Sequence, residues 1–108
     1  LKTNILEKDI QRAICDYLAL RRYFFYRNNN TPIYDVTRKT FRAMPKYTPR
    51  GICDIIIIAK GGKYIGLEVK TKTGTQSEPQ IIFEQNVKKA GGEYHIVRSL
   101  EDVQKIGL

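Results

Sequence analysis

Acidic residues are scarce in this 108-residue chain: eleven Asp and Glu stand against nineteen Lys and Arg, a formal net charge of +8. That imbalance gives a surface potential favouring polyanions, of which nucleic acid is the commonest. Cysteine and histidine are scarcer still. Cys15 and Cys53 lie far apart and form no CxxC pair, and His95 is the single histidine, so a structural zinc site is excluded. Nothing calls for an oxidising compartment, and the cytoplasm is the expected location. Long apolar runs are missing too: the longest, Ile55 to Ala59, is far too short to cross a bilayer. The first ten residues mix Lys2, Glu7, Lys8 and Asp9 with aliphatics, unlike a secretory signal. At 42% hydrophobic and 28% charged, residues 1–108 are expected to form one soluble globular domain with one core. No membrane and no small-molecule cofactor is expected.

The order of elements follows from periodicity. Asn4 followed by Glu7 resembles a capping box, and Leu6, Ile10, Ala13, Ile14, Tyr17 and Leu18 then recur at helical spacing to about Leu20. Tyr23 to Arg27 reads as a strand, ended by Asn28 to Asn30 and Pro32. No period is sustained from there to Arg50. Ile52 to Ala59 is nearly continuous in apolar residues, as in a strand covered on both faces. Gly61 and Gly62 supply a turn, and Tyr64 to Lys70 returns. Ser77 is a credible N-cap for a helix carrying Phe83, Val87 and Ala90, which Gly91 and Gly92 stop. Tyr94 to Val97 is a last strand, and Ser99 caps a short terminal helix. The order α-β-β-β-α-β-α predicts an α/β fold: a mixed sheet of about four strands flanked by helices.

Asp54 is out of place in this pattern, beside Ile55 to Ile58 in a segment that wants to be buried. An unpaired carboxylate there costs several kcal/mol or is driven to protonate. On the next strand Glu68 and Lys70, two apart, share a face. Register decides whether Asp54 joins them. A two-residue Gly61-Gly62 loop turns it away. A Lys60-Gly61-Gly62 loop sets it opposite Glu68, and a Gly61-Gly62-Lys63 loop opposite Lys70. An odd loop, or a bulge of equal effect, is expected. Two carboxylates side by side repel, and an all-oxygen pair suits a hard divalent cation, Mg²⁺ or Mn²⁺. Lys70 at the rim suits holding a water or offsetting charge on a phosphate. The plainer alternative is a buried ion-pair cluster that only fixes register.

Asp54, thirteen intervening residues, then Glu68-Val69-Lys70 resembles the core of the PD-(D/E)XK nuclease superfamily. The surrounding residues narrow the resemblance: Glu7 to Gln11 at the first helix, Gly51, then Thr71, Lys72, Gly74, Ser77, Glu78, Pro79 and Gln80, and Val97-Arg98-Ser99-Leu100-Glu101-Asp102-Val103. Over nearly the whole chain this train is similar to the stand-alone, single-domain type of virus-type replication-repair nuclease (VRR-NUC) domain. The family commonly has proline before the aspartate; Cys53 stands there instead. The resemblance implies a restriction-endonuclease-like core and a Mg²⁺- or Mn²⁺-dependent DNA endonuclease. In it Asp54, Glu68 and the Val69 carbonyl hold the metal and Lys70 activates or orients water. Glu7 completes the acidic site, and Gln80 supports it. Minimal members look like Holliday-junction resolvases, homodimers acting on four-way junctions in the nucleoid or in a phage-infected host. A flap or restriction-like nuclease is the alternative within the class. A non-catalytic nucleic-acid-binding subunit is the alternative outside it.

Gln80 and Glu7 each have a plainer role. Ser77-x-x-Gln80 fits a capping box, although Gln80 also shares the stripe of Phe83 and Val87, and Glu7 suits a helix dipole. Between Arg27 and Gly51 lie Arg38, Lys39, Arg42, Lys46 and Arg50, interleaved with Tyr34, Phe41 and Tyr47; only Asp35 is acidic. These cations, with Lys72, are candidate phosphate contacts, and the aromatics suit stacking on unpaired bases. A solvated excursion is the alternative. Cys15 and His95 receive no role.

Overall fold

The computed structural model describes residues 5–28, 34–41 and 46–108. Helix α1 (Glu7–Leu20) forms on the expected amphipathic run, with Ile14 and Leu18, one turn apart, fully buried. Its start corrects the sequence reading. Leu6, extended at φ −84° and ψ 149°, is the N-cap, and no side chain caps the helix. Glu7 is therefore the first helical residue, not the third as a box on Asn4 requires; Asn4 lies outside the described residues. Glu7 and Asp9 still meet the positive end of the helix dipole.

Strand β1 (Phe25–Arg27) follows. The unpatterned stretch after it contains a second, two-stranded sheet, β2 (Tyr34–Asp35) against β3 (Thr40–Phe41), with a turn at 36–39 between them. Two-residue strands carry too little period to be legible in sequence. Then come β4 (Ile55–Ala59), β5 (Lys63–Val69), α2 (Glu78–Lys89), β6 (Glu93–Val97) and α3 (Leu100–Lys105). The main sheet runs β1-β4-β5-β6, antiparallel except for the β5–β6 pair, which is parallel across the α2 crossover. This is the expected mixed, four-stranded α/β architecture, with the ribbon added.

The sheet is covered on both faces. Ile55, Ile57, Ile65, Leu67, Val69 and Val97 pack with Ile14 and Leu18 of α1 and Val103 of α3. The opposite face carries Ile56 and Tyr94, with Phe83 and Val87 packed against them from α2. Three consecutive isoleucines, 55 to 57, are buried because neither face of β4 meets water. Helix α2 starts as its sequence promises: Ser77 Oγ accepts from Gln80 N–H (3.4 Å) and Gln80 Oε1 accepts from Ser77 N–H (2.8 Å).

Candidate active site

The β4–β5 register is set by the loop that joins them. Ala59 pairs with Lys63, leaving Lys60, Gly61 and Gly62 as a three-residue loop. Both glycines are left-handed, at φ +83° and +79°, a conformation an L side chain resists. The ladder runs to Ile55 opposite Leu67, one step short of the Asp54–Glu68 pairing expected of this loop. Strand β4 begins later than the expected Ile52 because the chain slips just ahead of it. Asp54 N–H donates to Leu67 O (3.1 Å) although Leu67 is the partner of Ile55. Cys53 consequently joins Ile56 on the α2 face, three residues away where strict alternation allows two or four.

The slip aims the Asp54 side chain along the end of the sheet. Lys70 N–H is committed to Val97 O (3.0 Å), so the preceding Val69 N–H points the other way, and Asp54 Oδ2 accepts it at 2.8 Å. Glu68 lies beside it and is only 1% exposed. Burial, then the Asp54 carboxylate, push the Glu68 carboxyl up to about 8; Lys70 opposes, a hydrogen bond shared with Asp54 adds, and the field of Glu7 reaches it as well.

Gln80 ties the strand to the helix. Its Nε2 donates to Glu68 Oε1 (2.7 Å), and its Oε1 accepts from Lys70 Nζ (2.9 Å) as well as from the Ser77 backbone. One side chain therefore both caps α2 and bridges Glu68 to Lys70. Lys70 Nζ also stands 3.8 Å from Glu68 Oε1, with Lys70 9% exposed. Tyr94, which sequence reasoning passed over, donates from its hydroxyl to Glu68 Oε2 (3.4 Å) and receives Gln76 Nε2 (3.4 Å). Gly66 was the available signal. A glycine inside a strand marks a close approach, and a Cβ there would meet Cys53 Sγ at 2.7 Å and the Tyr94 ring at 3.5 Å. Cys53 itself is buried, and burial pushes its thiol up to about 11, so it is a packing residue.

Asp54, Glu68, Lys70 and Gln80 are thus brought together. Glu7 is exposed in the first turn of α1 and acts on Glu68 through its field. Among the described residues no group of three His, Cys, Asp or Glu side chains gathers to hold a metal ion. Of Val69, the contact with Asp54 is made by its N–H. Arg38 and Lys39 sit in the turn of the β2–β3 ribbon, exposed. Lys46, also exposed, lies over the Tyr47 ring at 5.1 Å. Arg50 lines a shallow pocket with Pro79, Ile82 and Phe83 of α2. Lys72 is exposed in the turn after Lys70; Arg42 lies outside the described residues. No helix among the described residues is long and apolar enough to cross a membrane.

An aspartate just ahead of one strand and a Glu-x-Lys at the end of the next thus meet at one end of a mixed four-stranded sheet. Comparison with solved structures narrows the fold. The chain is similar to a "VRR_NUC domain", with a TM-score of 0.64, 16% identity, and 93% of this chain and 91% of that one covered. It is similar also to a "VRR_NUC domain protein", with a TM-score of 0.68, 16% identity, and 96% and 86% covered. The chain has the VRR-NUC fold. No protein-family model matches it, and no curated protein matches its sequence.

Proposed function

We propose that this chain is a VRR-NUC-type endonuclease that hydrolyses DNA phosphodiester bonds with Mg²⁺ or Mn²⁺, its residues 1–108 acting as one domain in the cytoplasm. The observation that carries the reading is the Asp54–Glu68 carboxylate pair with Lys70 beside it, clamped by Gln80. A carboxyl raised to about 8 by burial and then by a neighbouring carboxylate is a group that a cation relieves, and an oxygen-only donor set fits a hard divalent ion. Asp54 and Glu68, with the Val69 carbonyl, would hold it. Bound there, the ion supplies Lewis-acid stabilisation of charge on the phosphate.

The chain's own residues do the rest. Lys70 presents its ammonium at the rim of the pair, where it orients a water and offsets phosphate charge. Gln80 fixes Lys70 and Glu68 relative to each other, and Glu7 adds negative field from the head of α1. Arg38, Lys39, Arg42, Lys46, Arg50 and Lys72 contact the DNA backbone, consistent with the net charge of +8. The preferred substrate is a four-way junction cut by a homodimer: each chain contributes its own Asp54–Glu68 pair, and a two-fold-symmetric substrate is served by two.

The test incubates wild type and Asp54→Ala with labelled four-way junction, duplex and single strands, with and without Mn²⁺. Cleavage of the junction by wild type alone, and only with metal, is the expected result. Equal inactivity of both proteins with Mn²⁺ favours the alternative of a nucleic-acid-binding subunit. Cutting that ignores the junction keeps the nuclease and discards the resolvase.

A further inference from the structure

Lys70 follows the last residue of β5, and the chain then makes a tight turn in which Gly74 N–H donates to Thr71 O (3.1 Å). One side chain from elsewhere holds that turn. Arg98, just past β6, donates from Nη1 to Thr71 O (2.6 Å) and Gly74 O (2.8 Å), with Lys72 O at 3.4 Å. Carbonyls converging on one point repel unless a donor stands between them, and a guanidinium is an always-charged, rigid donor. Arg98 is itself anchored. Its N–H donates to Asp102 Oδ2 (2.8 Å), and Asp102 N–H donates to Ser99 Oγ (3.2 Å) at the head of α3.

The turn reaches Lys70 through its stem. A Cβ at Gly74 would stand 3.5 Å from Lys70 Cδ and 3.3 Å from Thr71 Oγ1, so the turn backbone walls the lysine's aliphatic chain. The opposite end of that side chain meets Gln80 and Glu68. A flexible four-carbon stem holds its ammonium in one place only when something confines the stem.

We propose that Arg98 is a positioning residue for Lys70: by closing the 71–74 turn it confines the lysine stem and so fixes the ammonium beside Glu68. The proposal rests on the reading of Lys70 as the ammonium of the reaction, and it adds a residue to which that reading gave no role.

The test follows the Lys70 Cε NMR signal in the full chain carrying ¹³C-labelled lysines, the signal being assigned by its loss in Lys70→Arg. Neither DNA nor metal is needed for this measurement. Arg98→Met is expected to shift the Lys70 signal and to speed hydrogen exchange at the Gly74 amide. With Mn²⁺ and DNA it is expected to lower kcat by about tenfold to a hundredfold, the scale of a 1 Å misplacement, with KM within about threefold of wild type. Arg98→Lys, which restores a cation with several donors, is expected to recover much of kcat. An unmoved Lys70 signal in folded Arg98→Met overturns the proposal, as does a loss confined to KM, which would make Arg98 a phosphate contact. Should Arg98→Met fail to fold, Arg98→Gln carries the same measurements, and the same results support or overturn the proposal. Should wild type cut no DNA, the nuclease reading falls, while the Lys70 signal still decides whether Arg98 governs that ammonium.

Discussion

Glu68 keeps a proton in the fold that it loses in the open chain, and the consequence is measurable without any substrate. Its carboxyl stands at about 8 when folded against an ordinary 4.5, through burial first and the Asp54 carboxylate second. Between about pH 4.5 and about 8 the folded state therefore binds more protons than the unfolded state, so stability falls as pH rises through that window. In EDTA the melting temperature should drop between the acidic and the alkaline end of that window, and Glu68→Gln should flatten the slope. Mn²⁺ should raise the melting temperature more at the alkaline end than at the acidic one, because it competes with the proton for the same oxygens. A metal-free melting curve indifferent to pH across the window would show that the two carboxyls do not share a site. At this scale Asp54, Glu68 and Lys70 were legible from residue type and spacing. Gln80 stayed divided between cap and site, because both roles ask for the same residue at the same helical position.

Helix α2 depends on one close backbone approach. Gly51, at φ +74°, packs so tightly on the first turn of α2 that a Cβ would lie 2.5 Å from Pro79 O and 2.6 Å from Gln80 N. Backbone atoms cannot swing aside as a side-chain end can. Gly51→Ala should cost about 2 kcal/mol or more, from left-handed strain plus displacement of the helix. Since the displaced turn carries Gln80, metal-dependent cleavage should fall further than the melting temperature explains. Urea denaturation and cleavage rates measured on the same preparation check this, and wild-type values for both would contradict it. Sequence periodicity located α2, its Ser77 cap and its glycine stop. It did not show that Gly51, far earlier in the chain, is the seat on which the helix rests, because no local pattern encodes an approach between separate segments.

The whole molecule is a charged object before it is a site. Its excess of eight positive charges is expected to make DNA affinity steeply dependent on salt. With roughly five or six phosphate contacts, the slope of log affinity against log salt should be about −5. Arg38→Ala with Lys39→Ala, both in the ribbon turn, should flatten it by about two. Binding measured across a series of salt concentrations decides this, and an unchanged slope would remove the ribbon from the interface. The ribbon also marks where sequence reading stopped: its strands are two residues each, and pairing between Tyr34 and Phe41 or Asp35 and Thr40 leaves no periodic trace.

What the sequence determined by itself was everything carried by neighbours along the chain. Isoleucine runs made interior strands, Ser77 and Gln80 made a cap, two glycines made a left-handed loop, and two-residue alternation put Glu68 and Lys70 on one face. The count of loop residues even limited Asp54 to two facing partners or none. Tertiary structure chose among those outcomes by the three-residue loop and by the slip at Asp54. It alone brought Tyr94 and Arg98 to Glu68 and to the turn after Lys70, because the parallel pairing of β6 with β5 is set by how α2 packs, and packing is a property of surfaces that meet only after the chain has folded.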